Sequence, residues 1–230
     1  IFVNPTQFNN AEDLQKYPRT LEKDTTLLES LGVHFVFAPT AEEMYSAEEM
    51  QARFSFDFNG LDEVMEGKMR PGHFNGVVQV VSRLFELVRP TRAYFGEKDF
   101  QQLAIIRHMV EHSTLSSNFN NLKIVGCPIV REASGLALSS RNERLSDNEK
   151  QTAVAISQTL IASLEWAKTD SLEEVQKRVI DTINAIDGLE VEYFEIVDKT
   201  TLQPTTTFDN AIGCVTVYCG PVRLIDNIQY

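Results

Sequence analysis

The chain has 230 residues, an apolar share of 43% and a formal net charge of −12. This length and this apolar share favour a globular protein of one or two packed domains. No apolar run is long enough to span a membrane and the first residues do not resemble a signal peptide, so we expect a cytoplasmic location. The acidic balance argues against a nucleic-acid surface and favours small-molecule chemistry.

Strand and helix signals alternate from the first residue onward. Residues 1–3 are expected to end a buried strand, because the proline at position 5 cannot continue a central ladder. The pattern then predicts a helix over residues 18–31, closed by Gly32, and a short apolar strand over residues 33–37.

The alternation continues to about residue 125. Apolar residues at helical spacing predict a buried helix face made of Val77, Val80, Val81, Leu84, Phe85 and Val88. A strand over residues 92–95, a helix over 99–112, a loop over 113–121 and a strand over 122–125 follow. This order favours a parallel sheet covered by helices on both faces.

The second part of the chain has a different pattern. Ser146 with Glu149 and Ser171 with Glu174 are capping-box signatures that open two successive helices, the second expected to end at Gly188. Strands are predicted over residues 189–193, 213–219 and 222–225. We therefore predict an α/β protein with a parallel-sheet domain over residues 1–129 and a smaller α+β domain over residues 130–230.

Two loops carry residues suited to phosphate. Gly96-Glu97-Lys98-Asp99 turns from a strand into a helix, which is a natural nucleotide position, although a capped helix with an exposed lysine explains it too. Leu138-Ser139-Ser140-Arg141-Asn142 joins two hydroxyls to a guanidinium, which suits phosphate oxygens but also suits plain helix capping.

A third segment, Asn4-Pro5-Thr6-Gln7-Phe8, follows a strand end and carries two amides. Its alternative interpretation is a turn with solvated amides. Gln101 and Gln102 follow Asp99, and an amide there could face Gln7 across a cleft. Convergence of all three segments on one sheet edge favours a binding site.

Common catalytic signatures are missing. The sequence has no Walker-type phosphate loop, dinucleotide fingerprint, nucleophile elbow or zinc-binding His-Glu-x-x-His. His108 and His112 share a helical face but have no matching cluster of ligands nearby in sequence, so we interpret them as surface residues and predict no protein metal site.

Several segments together resemble the pantothenate synthetase family, in order and spacing. They are Phe-Val-Asn-Pro-Thr-Gln-Phe (2–8), Tyr-Pro-Arg-Thr (17–20), Glu-Met-Tyr (43–45), Arg-Pro-Gly-His-Phe (70–74), Phe-Gly-Glu-Lys-Asp (95–99), Val-Arg-Glu (130–132), Leu-Ser-Ser-Arg-Asn (138–142) and Arg-Leu-Ile-Asp-Asn (223–227). The resemblance implies a Rossmann-like, nucleotidylyltransferase-type fold. It also implies an ATP-dependent ligase that joins pantoate to β-alanine through a pantoyl-adenylate and releases pyrophosphate and AMP.

The same resemblance suggests roles for individual residues. Gln7 and Gln102 would hold pantoate, with Asn4 bordering the same pocket. The ATP-binding residues would be Gly96, Glu97, Lys98, Asp99, Val130, Leu138, Ser139, Ser140 and Arg141. Of these, Lys98, Ser139, Ser140 and Arg141 would act in catalysis.

Further expectations follow from the family. Mg²⁺ would accompany ATP without protein ligands, since Asp24 is the best candidate ligand but has no convincing companion. The protein would form a homodimer. The family's Gly-x-Leu-His-x-Gly-His type motif, whose histidines contact ATP, would precede Ile1. We therefore expect residues 1–230 alone not to catalyse pantoate-dependent pyrophosphate release.

Two alternatives remain open at this point. A nucleotidylyltransferase of the same fold would lack the paired glutamines, and β-alanine-dependent AMP release separates it from a ligase. A non-catalytic remnant of the fold is the other alternative, against which the presence of Lys98, Ser139, Ser140 and Arg141 argues.

Overall fold

A computed structural model of the protein describes residues 1–9, 11–51, 54–112, 119 and 121–230. The helices are α1 (Ala11–Lys16), α2 (Leu21–Ser30), α3 (Ala41–Met44), α4 (Ala47–Gln51), α5 (Met65–Met69), α6 (His73–Val88), α7 (Phe100–His112), α8 (Asp147–Trp166) and α9 (Leu172–Asn184). The strands are β1 (Arg92–Gly96), β2 (Lys123–Cys127), β3 (Leu189–Asp198), β4 (Ala211–Cys219) and β5 (Val222–Gln229). Short 3₁₀ helices cover Pro5–Gln7, Glu97–Asp99 and Ser140–Arg144. Within these residues, no helix is both long and apolar enough to cross a membrane.

The first sheet is parallel. β1 and β2 pair in register from Arg92 opposite Lys123 to Gly96 opposite Cys127. Helix α7 connects them, as a crossover between parallel strands requires. The α/β fold with a parallel sheet is therefore confirmed, and within the described residues a three-stranded antiparallel sheet accompanies the two-stranded parallel one. Most of the loop predicted over residues 113–121 lies outside the described residues.

Two predicted strands were wrong. Residues 1–3 and 33–37 are not in strands, and the ring of Phe35 is 92% exposed. The amino group of Ile1 donates a hydrogen bond to the carbonyl oxygen of Phe37, but no ladder joins the two segments in the part of the chain that is described. Their apolar composition suits a strand, whereas a strand forms only where a neighbouring strand offers its backbone groups.

The predicted helices are present with small shifts. Gly32 has a φ of +75° just after α2, as expected for a helix-ending glycine. Helix α6 buries Val77, Val80, Val81 and Phe85. Val88, assigned to the same buried face, is 59% exposed, because it is the last residue of the helix.

The second part of the chain follows its capping signals closely. Both predicted capping boxes are formed, at Ser146 with Glu149 and at Ser171 with Glu174. Helix α9 ends at Asn184 rather than at Gly188, which instead has a φ of +86° in the turn before β3. The order of the antiparallel sheet is β3-β4-β5.

Strand β4 lies between two hydrophobic cores, which explains why it is buried along nearly its whole length. Ile212 and Cys214 join the core formed mainly by α6 and α7. Val215, Val217 and Cys219 join the core formed by α8 and α9. Side chains alternate between the two faces of a strand, so one strand contributes to both cores.

Helix α6 also positions the loop at the start of the chain. Gly76 allows this loop to approach so closely that an added Cβ would lie 2.5 Å from the carbonyl oxygen of Thr6 and 2.6 Å from the backbone nitrogen of Gln7. Both contacts are with backbone atoms, which cannot rotate away as a flexible side chain can.

We therefore expect Gly76→Ala to lower the free energy of unfolding by about 1–3 kcal/mol. Alanine in place of a helical glycine ordinarily stabilises a protein by roughly 0.5–1 kcal/mol, so destabilisation is the distinguishing sign. Urea denaturation measures it. Gly96→Ala is the control, since a Cβ there meets nothing within 4 Å. Equal stability of the two variants would contradict the close approach at Gly76.

Candidate functional site

The turn that follows β1 is held in place by β5. Asn227, which is 4% exposed, donates hydrogen bonds through Nδ2 to the carbonyl oxygens of Glu97 at 2.8 Å and Lys98 at 3.0 Å. Gly96 ends β1 and the turn continues directly into α7, as predicted from the sequence. The backbone of the Gly96-Glu97-Lys98-Asp99 turn is thus anchored to the antiparallel sheet.

Lys98, Asp99 and Gln102 line one cavity between the two sheets, together with Arg70 and His73. The neighbouring Gln101 lines the same cavity, but its amide is bonded within the protein. It is 5% exposed, its Nε2 donates to the carbonyl oxygens of residues 61 and 64, and its Oε1 accepts from the backbone of residue 66. Gln102 thus lines the cavity, whereas the amide of Gln101 fastens α7 to the segment before α6.

The amide of Asn4 is buried, contrary to the alternative interpretation of the first loop, whereas Gln7 is partly exposed. Asn4 is 3% exposed, and its Nδ2 donates to the carbonyl oxygen of Gly76 at 3.0 Å and to Oε1 of Gln7 at 3.3 Å. The hydroxyl of Tyr45 donates to Oδ1 of Asn4 at 3.0 Å. Asn4 thus supports the loop internally, and Gln7 contacts the cavity-lining His73 through its backbone carbonyl without lining the cavity itself.

His73 joins that loop to an arginine. Its Nδ1 lies 2.8 Å from the carbonyl oxygen of Gln7 and its Nε2 lies 3.2 Å from Nη1 of Arg70. Burial and the adjacent charge of Arg70 lower the pKa of His73 to about 4. The ring is therefore neutral at pH 7, donating from Nδ1 to Gln7 and accepting at Nε2 from Arg70.

A second cavity adjoins the first, and Lys98 lines both. Ser139 and Arg141 line the second cavity. The Oγ of Ser139 accepts a hydrogen bond from the backbone nitrogen of Arg141 at 3.2 Å, so this serine does cap the 3₁₀ helix while facing the cavity. Lys98, from the first of the two loops suited to phosphate, thus lines one cavity with Ser139 and Arg141 from the second loop.

The remaining predicted ATP-binding residues lie on the surface. Val130 and Leu138 are 65% and 55% exposed and are joined by a backbone hydrogen bond of 2.9 Å. Ser140 is also exposed and donates to the hydroxyl oxygen of Tyr17 at 3.4 Å. Asp24, the candidate magnesium ligand, accepts from Thr20 at 3.1 Å and lines a groove that Ser140 also lines.

The sequence analysis did not identify the ion pair that joins helix α5 to the antiparallel sheet at the cavity. The guanidinium of Arg223 donates to both carboxylate oxygens of Glu66, at 2.8 and 2.6 Å. Tyr193 and Thr216 donate to the same carboxylate at 2.8 and 3.0 Å. Burial alone would raise the pKa of Glu66, but the hydrogen bonds and charge of Arg223 outweigh it and lower the pKa to about 2.

A second ion pair lies nearby. Arg131 makes a bidentate contact with Asp226, at 2.7 and 3.0 Å, and this carboxylate is 5% exposed. The segments 70–74, 130–132 and 223–227 match family signatures. This match is the sequence signal that marks Arg131, Arg223 and Asp226. The paired residues are far apart in the sequence, so no local pattern indicates that they form ion pairs. Among the described residues, no group of three or more His, Cys, Asp or Glu could hold a metal ion.

Comparisons with known proteins agree with one another. The model of the pantoate-beta-alanine ligase family matches residues 1–229. The pantothenate synthetase of Phocaeicola vulgatus is 60% identical over 232 aligned residues, which cover 100% of this chain and 80% of that protein. The corresponding protein of Porphyromonas gingivalis strain ATCC 33277 is 52% identical over 100% of this chain and 80% of its own length.

Solved structures give the same result. A crystal structure of pantothenate synthetase from Thermus thermophilus has a TM-score of 0.89 and 42% identity, covering 98% of this chain and 80% of that one. A pantoate-beta-alanine ligase from Francisella tularensis, complexed with beta-gamma ATP and beta-alanine, has a TM-score of 0.76 and 34% identity, covering 100% of this chain and 77% of that one.

The buried carboxylate of Glu66 generates a prediction about pH. Because its pKa is lowered on folding, it contributes stability that is fully present above about pH 4.5 and is lost as the pH falls toward about 2. Glu66→Gln should lower the free energy of unfolding by about 1–3 kcal/mol at pH 7, since Arg223 loses one charged partner but keeps Glu192 at 2.5 Å. The difference between the wild type and this variant should narrow as the pH falls from 5 to 3.

Urea denaturation across that pH range measures the difference. Glu63→Gln is the matched control, because Glu63 is an exposed glutamate on the same segment and should show little change at any pH. A difference between the wild type and Glu66→Gln that stayed constant from pH 7 to pH 3 would contradict the ion pair.

Proposed function

Because the chain belongs to the pantoate-beta-alanine ligase family, we propose that it condenses pantoate with β-alanine using ATP. In this proposal the carboxylate of pantoate attacks the α-phosphorus of ATP. A carboxylate–phosphorus bond forms, the bond to pyrophosphate breaks, and pantoyl-adenylate results. The amine of β-alanine then attacks the acyl carbon, AMP leaves with the carboxylate oxygen, and the amine loses a proton.

One observation carries the proposal: Lys98 lines two adjoining cavities, one shared with Gln102 and the other shared with Ser139 and Arg141. An amide is suited to hold hydroxyl and carboxylate groups of a small acid. A serine hydroxyl and a guanidinium are suited to phosphate oxygens. A lysine between them lies where the acid and the nucleotide have to meet.

Charge is the main requirement of the first step, because one anion attacks another and negative charge accumulates on the departing pyrophosphate. Lys98 and Arg141 supply fixed positive charge at this position, and Ser139 and Ser140 add hydrogen-bond donors. Mg²⁺ bound to ATP would add further charge compensation without protein ligands. Gly96, Glu97, Asp99, Val130 and Leu138 would form the rest of the ATP site.

Orientation is the second requirement. Gln7 and Gln102 would hold pantoate from opposite sides with its carboxylate facing the nucleotide. His73 fixes the backbone of Gln7, and α7 fixes Gln102 one turn beyond Lys98. An acyl-adenylate hydrolyses in water, so a site between the two sheets also protects the intermediate until the amine arrives.

We expect Lys98→Ala in the full-length gene product to slow pantoate-dependent pyrophosphate release by about 10²–10³-fold, by analogy with the loss of an oxyanion donor. Gln102→Ala should mainly raise KM for pantoate. Initial rates at varied pantoate and ATP separate the two effects. Lys177→Ala, which removes an exposed lysine on α9, is the control and should behave as the wild type.

The same assay tests the proposed reaction itself. β-Alanine-dependent release of AMP by the wild type is expected, and pyrophosphate release without any dependence on pantoate would argue for a nucleotidylyltransferase. If Lys98→Ala and Gln102→Ala both kept normal rates and KM values, the assignment of the site would be wrong.

We also propose that the protein is a homodimer, as expected from the family. Sedimentation velocity at micromolar concentration should give twice the mass of one chain. A single species with the mass of one chain would contradict this.

A further inference from the structure

Helix α1 contacts the loop that bears Ser139 and Arg141. The carboxylate of Asp13 on α1 accepts hydrogen bonds from two arginines of that loop, at 2.9 Å from Nη2 of Arg141 and at 3.1 Å from Nη1 of Arg144. The side chains of the three residues are 26–28% exposed, so water screens these contacts only in part.

Two weaker contacts continue the same connection. The hydroxyl of Ser140 donates to the hydroxyl oxygen of Tyr17 at 3.4 Å, and Lys23 lies 3.8 Å from Glu143. Residues 11–24 therefore contact the 139–144 loop along three successive points. We call residues 11–24 the strap, because they follow the Gln7 loop in sequence and contact the loop that bears Arg141.

The charges of this contact have a clear consequence. Each guanidinium binds a different oxygen of one carboxylate, so Arg141 and Arg144 lie close together although they repel each other. The opposing charges of Asp13 and the two arginines leave one positive charge in excess. An anion at the cavity thus meets a net positive group whose geometry is set by Asp13.

We propose that Asp13 is a positioning residue that holds Arg141 at the nucleotide side of the cavity by sharing its carboxylate with Arg144. This inference rests on the proposed function, since it assigns a purpose to the position of Arg141 toward the phosphates of ATP. Without the carboxylate, repulsion from Arg144 displaces the Arg141 guanidinium and the strap loses its strongest contact with the loop.

The test is steady-state kinetics together with equilibrium ATP binding in the absence of pantoate, both on the full-length gene product. Asp13→Asn should raise KM for ATP and weaken ATP binding by roughly tenfold, which corresponds to about 1.4 kcal/mol. KM for pantoate should change little. Asp13→Glu keeps the charge and should restore most of the ATP affinity.

Arg144→Gln distinguishes positioning from a merely structural role. Alone it should have a small effect on KM for ATP, because Arg141 keeps its carboxylate. Combined with Asp13→Asn it should recover part of the lost ATP affinity, because the repelling charge is gone. Lys16→Gln on the same helix is the control and should match the wild type.

Several outcomes would overturn the inference. Normal ATP affinity in Asp13→Asn would show that the carboxylate does not position Arg141, and tighter ATP binding would show that Asp13 competes with the phosphates. Equal changes in KM for ATP and pantoate, with a lower melting temperature, would indicate structural support only. A wild type that neither binds ATP nor releases pyrophosphate would overturn the proposed function and this inference with it.

Discussion

The ion pair between Glu66 and Arg223 joins helix α5 to the antiparallel sheet. A carboxylate that is only 12% exposed in its side chain is costly unless donors surround it, and here donors come from all three antiparallel strands: Tyr193 on β3, Thr216 on β4 and Arg223 on β5. Glu66 lies on α5, which precedes α6 and the cavity. The short helix α5 is thereby attached to all three strands of the antiparallel sheet. The cavity lined by Lys98 and Gln102 lies beside this ion pair.

Strand β5 extends the same connection by the alternation of its side chains. Arg223 and Asn227 are four residues apart and point to the same face, one toward Glu66 and the other toward the turn at Lys98. Asp226 points to the opposite face, where it pairs with Arg131 next to the loop that leads to Ser139. A single strand therefore aligns the backbone turn and the phosphate-suited loop that share the second cavity.

Cations lie along the two adjoining cavities of this acidic protein. The chain carries a net charge of −12, yet Arg70, Lys98 and Arg141 lie along the adjoining cavities. Acidic partners hold two of these cations in place: Glu66 lies 3.5 Å from Arg70, and Asp13 binds Arg141. Glu66, Asp99 and Asp226 line the same two cavities, so cations and carboxylates are interspersed along them.

Local signals in the sequence were enough for much of this structure. The capping boxes at Ser146 and Ser171, the apolar face of α6 up to its last turn and the turn at Gly96 each depend on residues within a few positions of one another, and they formed as predicted. The motifs of the family, read in order, were enough to identify the family itself.

Only the tertiary structure decided which residues meet. The apolar segments 1–3 and 33–37 have strand-like composition but are not in strands, because a strand depends on a partner that composition does not reveal. The pairs Glu66 with Arg223 and Asp13 with Arg141 are separated by 157 and 128 residues, so no local pattern could link them. Gln101 and Gln102 are adjacent and chemically identical, and only the packing of α7 buries the first and bonds its amide to the segment before α6.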